Sequence, residues 1–202
     1  MALNFHSRGF RVFATARNPD SISSLAALGI TTLALEVHKV ESVKALRDQV
    51  LSLTGGRLDY LVNNAGTNYT VPALDIDNEE VHDLFEANVF GVMRMCQTFI
   101  PLLIEAKGTI VQIGSLTGHM PYIFSSGYNA SKAALHAYTN TLRNVGILLR
   151  LWSAKSLTMY TGNLTIWRQR GACRSRRREK QSISRTSPIA FVFTLQTRPS
   201  GI

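Results

Sequence analysis

Apolar residues follow two different periods along the first 143 residues of the chain. Short, almost continuous apolar runs typical of β-strands lie at residues 11–16, 31–37, 58–62 and 109–114. Between these runs apolar residues recur at helical spacing, and the helices predicted from them cover residues 1–9, 22–28, 41–53, 77–106 and a segment that starts near residue 126. Strands that alternate with helices in this way predict a parallel sheet covered on both faces, the doubly wound α/β architecture.

Three residues mark helix boundaries within this pattern. Gly9 and Gly55 follow the last apolar positions of two predicted helices, where glycine commonly ends a helix. Asp77 precedes the long fourth helix, and its carboxylate can accept hydrogen bonds from the first turn.

The charge of the chain changes abruptly near Arg143. Residues 1–142 contain 10 Lys and Arg and 12 Asp and Glu, whereas residues 143–202 contain 12 basic residues and one acid. We therefore predict a partial domain at residues 1–143 and an irregular basic tail at residues 144–202. The arginine-rich run at residues 168–180 is typical of segments that contact nucleic acid or anionic lipid, and equally of an incidental disordered tail. Because aromatic residues are not interleaved in it, we expect no nucleic acid partner.

Cysteine usage and hydropathy exclude several classes of protein. The two cysteines, Cys96 and Cys173, form no C-x-x-C pair, so no disulfide framework or zinc site is predicted, and a reducing compartment fits. The histidines show no metal-ligand spacing, so we expect no metal. No run of 18 apolar residues occurs, and the N-terminus lacks the pattern of a signal peptide; we expect no transmembrane segment.

The carboxyl ends of the predicted strands are where an open parallel sheet binds its ligands. Arg17, at the first of these ends, is either a solvated loop residue or a guanidinium that binds a phosphate. Residues 63–66, Asn-Asn-Ala-Gly, form either a simple tight turn or a place where the backbone approaches a ligand closely. Glu36 and Val37 form the carboxyl end of the second predicted strand, and Ser115 follows the fourth.

Tyr128 and Lys132 are the most distinctive pair in the chain. They lie four residues apart in a segment that continues with strong helix formers, so both side chains stand on one helix face. A tyrosine is a poor proton donor or acceptor at neutral pH, and a neighbouring ammonium favours its phenolate form. The pair is therefore a candidate acid/base device, although an exposed lysine and a half-buried tyrosine on a surface helix give the same pattern.

The ordered set of polar residues resembles the short-chain dehydrogenase/reductase family. Residues 63–66, Asn88, Ser115, Tyr128 and Lys132 match that family in order and spacing, over roughly residues 1–143. The resemblance implies a Rossmann-like sheet and an oxidoreductase. The amino-acid sequence of residues 5–17 and 88–93 is similar, more narrowly, to that of fungal NADPH-dependent 1-acyldihydroxyacetone-phosphate reductases. This narrower resemblance implies reduction of the ketone of an acylated dihydroxyacetone phosphate.

The resemblance also implies a role for each catalytic position. Tyr128 would protonate the carbonyl oxygen as hydride arrives from the nicotinamide, and Lys132 would favour the phenolate and bind the nicotinamide ribose. Ser115 would polarise and orient the carbonyl. Asn88 would hold a water that links Lys132 to solvent.

The resemblance assigns the cofactor-binding positions in the same way. A cation at Arg17 would pair with the 2′-phosphate and select NADPH. Glu36 and Val37 would flank the adenine, and Asn64, Ala65 and Gly66 would line the adenosine ribose. In the loop before Tyr128, residues 119–122 (His-Met-Pro-Tyr) are either substrate contacts or loop packing.

Two departures from the family pattern are visible. The glycine-rich turn T-G-x-x-x-G-x-G that holds the pyrophosphate does not occur, and Met1 matches the middle of the helix that follows it. Beyond residue 143 the resemblance ends. We therefore expect an incomplete sheet that lacks its first and last strands, with unpartnered edges in its middle. The alternative function is a non-catalytic fragment that cannot bind NADPH.

The tail contains one long β-type run, at residues 189–195. A sheet that lacks its central strand offers an empty position, and this run can fill it by pairing with both residues 11–16 and residues 58–62.

The resemblance supplies the remaining expectations about partners and location. The partner would be a small lipid ketone. Peripheral association with the cytosolic face of the endoplasmic reticulum and with lipid droplets is expected from the family alone, and a homo-oligomer is compatible with it.

Overall fold

The computed structural model describes residues 1–148, 157–160 and 191–194, with side chains described for residues 1–144. It contains six strands and six α-helices in the described residues: α1 Ala2–His6, β1 Val12–Ala16, α2 Ser23–Ala26, β2 Thr31–Ala34, α3 Val40–Thr54, β3 Tyr60–Asn63, α4 Asn78–Phe85, α5 Gly91–Ala106, β4 Thr109–Gly114, α6 Ser126–Leu148, β5 Leu157–Tyr160 and β6 Phe191–Thr194. The basic run at residues 168–180, together with Cys173, lies outside the described residues.

All six strands are parallel and form one sheet in the order β2-β1-β6-β3-β4-β5. Successive side chains along each strand point to opposite faces of the sheet, and each face has its own core. Phe13, Leu61 and Ile110 pack with buried residues of α3 and α5 on one face. Val12 and Val62 pack with Ala2 of α1 on the other. The prediction of a doubly wound parallel α/β sheet is confirmed.

The centre of the sheet is closed by β6, the strand from the tail. Phe191 is in register with Val12 of β1 on one side and with Tyr60 of β3 on the other. The prediction that residues 189–195 fill the empty position is confirmed for the paired residues. The expectation of unpartnered edges in the middle of the sheet is wrong, because β6 pairs with the backbone on both sides and so satisfies hydrogen-bonding groups that are costly to bury unpaired.

A second strand from the tail extends the sheet beyond β4. Leu157 is in register with Val111, and Tyr160 with Gly114, so β5 lies where the sequence suggested that the last strands were missing. The helix before it also continues further than the family resemblance does, to Leu148. The sheet therefore uses residues on both sides of the charge boundary at Arg143.

Helix ends follow the predicted signals. Gly9 and Gly55 adopt left-handed φ values of 83° and 65° after α1 and α3. The Asp77 carboxylate accepts hydrogen bonds from the backbone N–H groups of Glu79 and Glu80 at 2.7 and 3.2 Å, so it caps α4 as expected.

The long helix predicted from Asp77 to Ala106 is present, with one interruption that the periodicity did not show. Residues Glu86–Phe90 form a π-helical turn between α4 and α5. By length and composition alone, the helical stretch Asn78–Ala106 could cross a membrane, because it contains an 18-residue window with a mean hydropathy of 1.4, but half of that window is buried inside the structure. Phe99 and Leu103 of α5, for example, are fully buried in the core under the sheet.

Candidate active site

The first turns of α6 carry the candidate acid/base pair. Tyr128 is half-buried, whereas the Lys132 side chain points inward and is only 6% exposed. The Lys132 Nζ atom lies 5.7 Å from the centre of the Tyr128 ring, so the four-residue spacing places both groups on one helix face as predicted.

The amino group of Lys132 is held by the neighbouring strand. Nζ donates a hydrogen bond to the Ile113 carbonyl of β4 at 2.9 Å. Burial penalises the ammonium form and lowers the pKa of Lys132 from 10.5 to about 8. An amine with this pKa exchanges protons close to neutral pH, which suits a group that supplies protons to a nearby phenol.

Ser115 lies directly after β4, and its side chain organises the turn that follows. The backbone N–H and the hydroxyl of Thr117 approach Ser115 Oγ at 3.3 and 2.9 Å. This turn packs tightly on α6: a Cβ on Gly118 would lie 2.8 Å from the backbone of Lys132. The close approach at Gly118 therefore brings the Ser115 turn against the helix that bears Tyr128 and Lys132.

Asn88 lies in the π-helical turn and is completely buried. Its Nδ2 donates to the Thr67 carbonyl at 3.0 Å and to Ser131 Oγ at 3.1 Å, and its Oδ1 accepts from the Thr67 N–H at 2.8 Å. Ser131 Oγ in turn donates to the Tyr128 carbonyl at 2.8 Å. Asn88 thus joins the loop after β3 to the first turns of α6. Its expected role in holding a water beside Lys132 stays a prediction.

The loop after β3 comes within reach of the same groups. A Cβ on Gly66 would lie 2.9 Å from Asn88 Oδ1 and 3.7 Å from Lys132 Nζ, so glycine lets the loop pack closely against both. Asn64 and Ala65, just before it, are half-buried at this edge. Asn63 differs from them: it is 4% exposed and its amide approaches Cys96 Sγ at 3.5 Å, which makes it a core residue.

The remaining cofactor positions lie at the ends of β1 and β2. Arg17 is exposed, and because Leu35 N–H donates to the Ala16 carbonyl, the residues after both strands are neighbours. The carboxylate of Glu36 accepts a hydrogen bond from Lys39 at 2.9 Å. That bond, with smaller contributions from nearby cations including Arg17, lowers the pKa of Glu36.

Val37 is tied to the long helix by contacts that no local signal showed. Its carbonyl accepts a hydrogen bond from Arg94, which also contacts the Glu86 carboxylate at 2.7 Å.

The loop before Tyr128 was singled out from the sequence, and its Met120 and Tyr122 are 73% and 64% exposed. His119, in the same loop, stacks on His136 with ring centres 4.2 Å apart.

Four contributors to the site were not predicted: Thr67, Glu86, Arg94 and Ser131. Ser131 could have been found from its position, three residues after Tyr128 and next to Lys132, where a polar residue on the buried face of a helix needs a partner. Thr67 and Arg94 have no sequence signal, because they meet their partners across gaps of 21 and 57 residues. Glu86 meets Arg94 eight residues along the chain, a spacing that was not singled out from the sequence.

Comparison with known proteins agrees with this geometry. The short chain dehydrogenase family model matches residues 1–146. The chain belongs to the short-chain dehydrogenase/reductase family. It is 47% identical over 143 residues to an NADPH-dependent 1-acyldihydroxyacetone phosphate reductase of Schizosaccharomyces pombe, a match that covers 71% of this chain and 48% of that protein.

Solved structures of the family resemble the fold. A short-chain dehydrogenase from Streptomyces avermitilis superposes with a TM-score of 0.72 at 29% identity, covering 79% of this chain and 58% of that one. A metagenomic short-chain oxidoreductase in complex with NADP gives a TM-score of 0.70 at 28% identity, covering 80% and 75%. The chain spans about half the length of the curated relatives it matches.

Proposed function

We propose that this chain carries the catalytic half of an NADPH-dependent carbonyl reductase. The observation that carries the proposal is the Lys132 amino group, which is buried beside the Tyr128 ring on the edge of the sheet where open α/β folds bind ligands. In the proposed reaction the Tyr128 hydroxyl gives its proton to the carbonyl oxygen of the substrate. Lys132 stabilises the negative charge that develops on the phenol, and Ser115 donates a hydrogen bond that orients the carbonyl.

The residues present fit both ends of an NADPH molecule. Gly66 brings the backbone of the loop after β3 beside Lys132, whose amine suits the hydroxyl groups of a ribose. Arg17 offers an exposed cation next to Glu36 and Val37, which suits a 2′-phosphate on the adenosine. When bound, NADPH supplies the hydride that reaches the carbonyl carbon while Tyr128 protonates the oxygen, so the ketone becomes a secondary alcohol.

The finer substrate that we propose is a 1-acyldihydroxyacetone phosphate, reduced to the 1-acylglycerol 3-phosphate. Its support is the activity for which the Schizosaccharomyces pombe relative is named. Association with the endoplasmic reticulum and lipid droplets belongs to the same proposal, and fractionation of a tagged chain from cells tests it.

A second candidate is a chain that keeps Tyr128 and Lys132 but does not hold NADPH. A specific observation favours it: β6, a strand from the tail, takes the central position between β1 and β3 that in the family leads into the glycine-rich pyrophosphate turn. In this candidate the site residues are retained from the family but catalyse no reaction.

Titration of the purified chain with NADPH separates the two candidates. Saturable binding at micromolar concentrations, followed by turnover of an acylated dihydroxyacetone phosphate, supports the reductase. The absence of binding at millimolar NADPH, for a chain whose circular dichroism shows a folded α/β protein, supports the second candidate.

A further inference from the structure

Arg94 joins two parts of the site that are far apart in sequence. It lies in the first turn of α5, and its side chain is only 21% exposed. One guanidinium nitrogen donates to the backbone carbonyl of Val37, in the loop after β2. The other contacts the Glu86 carboxylate at 2.7 Å, at the start of the π-helical turn. The planar guanidinium of Arg94 therefore binds two segments of the chain at once.

The loop and the π-helical turn are also packed directly together. A Cβ on Gly91 would lie 3.0 Å from Val37 Cγ2 and 3.0 Å from the Glu86 carbonyl oxygen, closer than ordinary contacts allow. Glycine at this position lets Val37 rest on the helix backbone. With no side chain between them, the Val37 loop lies directly against the turn that carries Glu86.

The same turn positions the loop on the opposite side of the site. Asn88 lies two residues after Glu86 and holds both backbone groups of Thr67, at 2.8 and 3.0 Å. Thr67 follows Gly66, whose backbone lies beside Lys132. Hydrogen bonds thus link Val37 to Arg94 and Arg94 to Glu86, and the backbone of the π-helical turn links Glu86 to Asn88. Asn88 in turn binds Thr67.

We propose that Arg94 is a positioning residue that couples the Val37 loop to the Asn88–Thr67 contact, so that the adenine end and the nicotinamide end of the site are set together. The consequence for NADPH rests on the proposed function. The coupling itself does not, because it concerns contacts within this chain. An isolated exposed ion pair would contribute little, but Arg94 differs in its low exposure and in its bond to a backbone carbonyl 57 residues away.

Hydrogen exchange of the folded chain without cofactor tests the coupling. The reporter amides are those of Glu36, bound to Ser42 Oγ, of Lys39, bound to the Glu36 carbonyl, and of Thr67, bound to Asn88 Oδ1. In Arg94→Met we expect all three to exchange about tenfold faster, while the amides of β4 are unchanged. Arg47→Met is the matched control, because Arg47 pairs with Asp48 on the exposed surface of α3.

Two results overturn the proposal. In one, Thr67 exchanges at the wild-type rate in Arg94→Met, which shows that the two loops are independent. In the other, β4 and the three reporters speed up together, which shows only a loss of overall stability. Arg94→Lys keeps the charge without the two-pronged geometry, so we expect it to restore little of the protection.

NADPH affinity supplies a second readout. We expect the dissociation constant to rise about tenfold in Arg94→Met and to stay unchanged in Arg47→Met. If the wild-type chain binds NADPH and Arg94→Met binds it equally well, the inference about Arg94 fails while the proposed function stands. If the wild-type chain does not bind NADPH, the proposed function fails and the exchange experiment still decides the role of Arg94.

Discussion

The amino group of Lys132 lies 5.7 Å from the centre of the Tyr128 ring and is fixed there by a hydrogen bond to a strand, not by the helix alone. The acceptor, Ile113, belongs to the strand that leads directly to Ser115. The same strand therefore sets the position of the amine and of the Ser115 hydroxyl, which we propose orients the substrate. Fixed positions of this kind are what preorganised catalysis requires of the proposed proton-transfer groups.

Replacement of Tyr128 by phenylalanine removes the proposed proton donor and little else. We expect Tyr128→Phe to lower kcat for ketone reduction by about 100-fold or more, the usual contribution of a general acid, with NADPH affinity unchanged. The rate of NADPH oxidation measures it. Tyr60→Phe is the control, since Tyr60 begins β3, at the end of the strand opposite to the site. Equal losses in the two variants would remove Tyr128 from the proposed mechanism.

We expect Lys132 to destabilise the fold at neutral pH. Its pKa falls from 10.5 in the unfolded chain to about 8 in the fold, because burial disfavours the charge. Between these two values the unfolded chain binds more protons, so stability rises with pH across that window. At pH 7 we expect Lys132→Met to increase the free energy of unfolding by about 1–3 kcal/mol, since the lost bond to Ile113 offsets part of the gain.

Urea unfolding at pH 7 and near pH 10 measures this effect. The advantage of Lys132→Met should shrink as the pH rises through the window, because the folded lysine is already neutral there while the unfolded lysine progressively loses its proton. Lys44→Met, which alters an exposed pair with Glu41, should show no such dependence. A constant difference at both pH values would contradict the assigned cause.

Asn88 should contribute to stability as well as to the site. Asn88→Ala leaves the Thr67 N–H and carbonyl without their partner in a part-buried place, and Ser131 loses a donor. At about 1–3 kcal/mol for each buried unsatisfied group, we expect a loss of about 3 kcal/mol in the free energy of unfolding. Asn68→Ala, which removes only an exposed contact to Thr70, is the comparison and should change stability little.

The tail strand should be essential to the sheet. Val192 is in register with Phe13 on one side and Leu61 on the other, so Val192→Pro removes a backbone donor from the middle of the sheet. We expect a loss of about 3 kcal/mol or more in the free energy of unfolding, measured with urea. Ser182→Pro introduces the same residue into the tail outside β6. Equal stability of the two variants would show that β6 does not hold β1 and β3 together.

What the sequence predicted was chiefly local. Strand and helix periods gave the alternating elements, and Asp77 and Gly55 gave helix ends, because caps and stops act within one turn. The spacing of Tyr128 and Lys132 placed them on one face without knowledge of the fold. The β-type run in the tail and the missing central strand together predicted β6, although the charge boundary at Arg143 suggested that the tail lay apart.

Tertiary structure alone decided the contacts between distant segments. Arg94 meets Val37 across 57 residues, Asn88 meets Thr67 across 21, and the turn at Gly118 packs on α6. Such pairs produce no periodic pattern in the sequence, since either partner alone is an ordinary polar or small residue. The depressed pKa of Lys132 belongs with them: spacing put the lysine beside the tyrosine, but only burial against β4 could change its affinity for a proton.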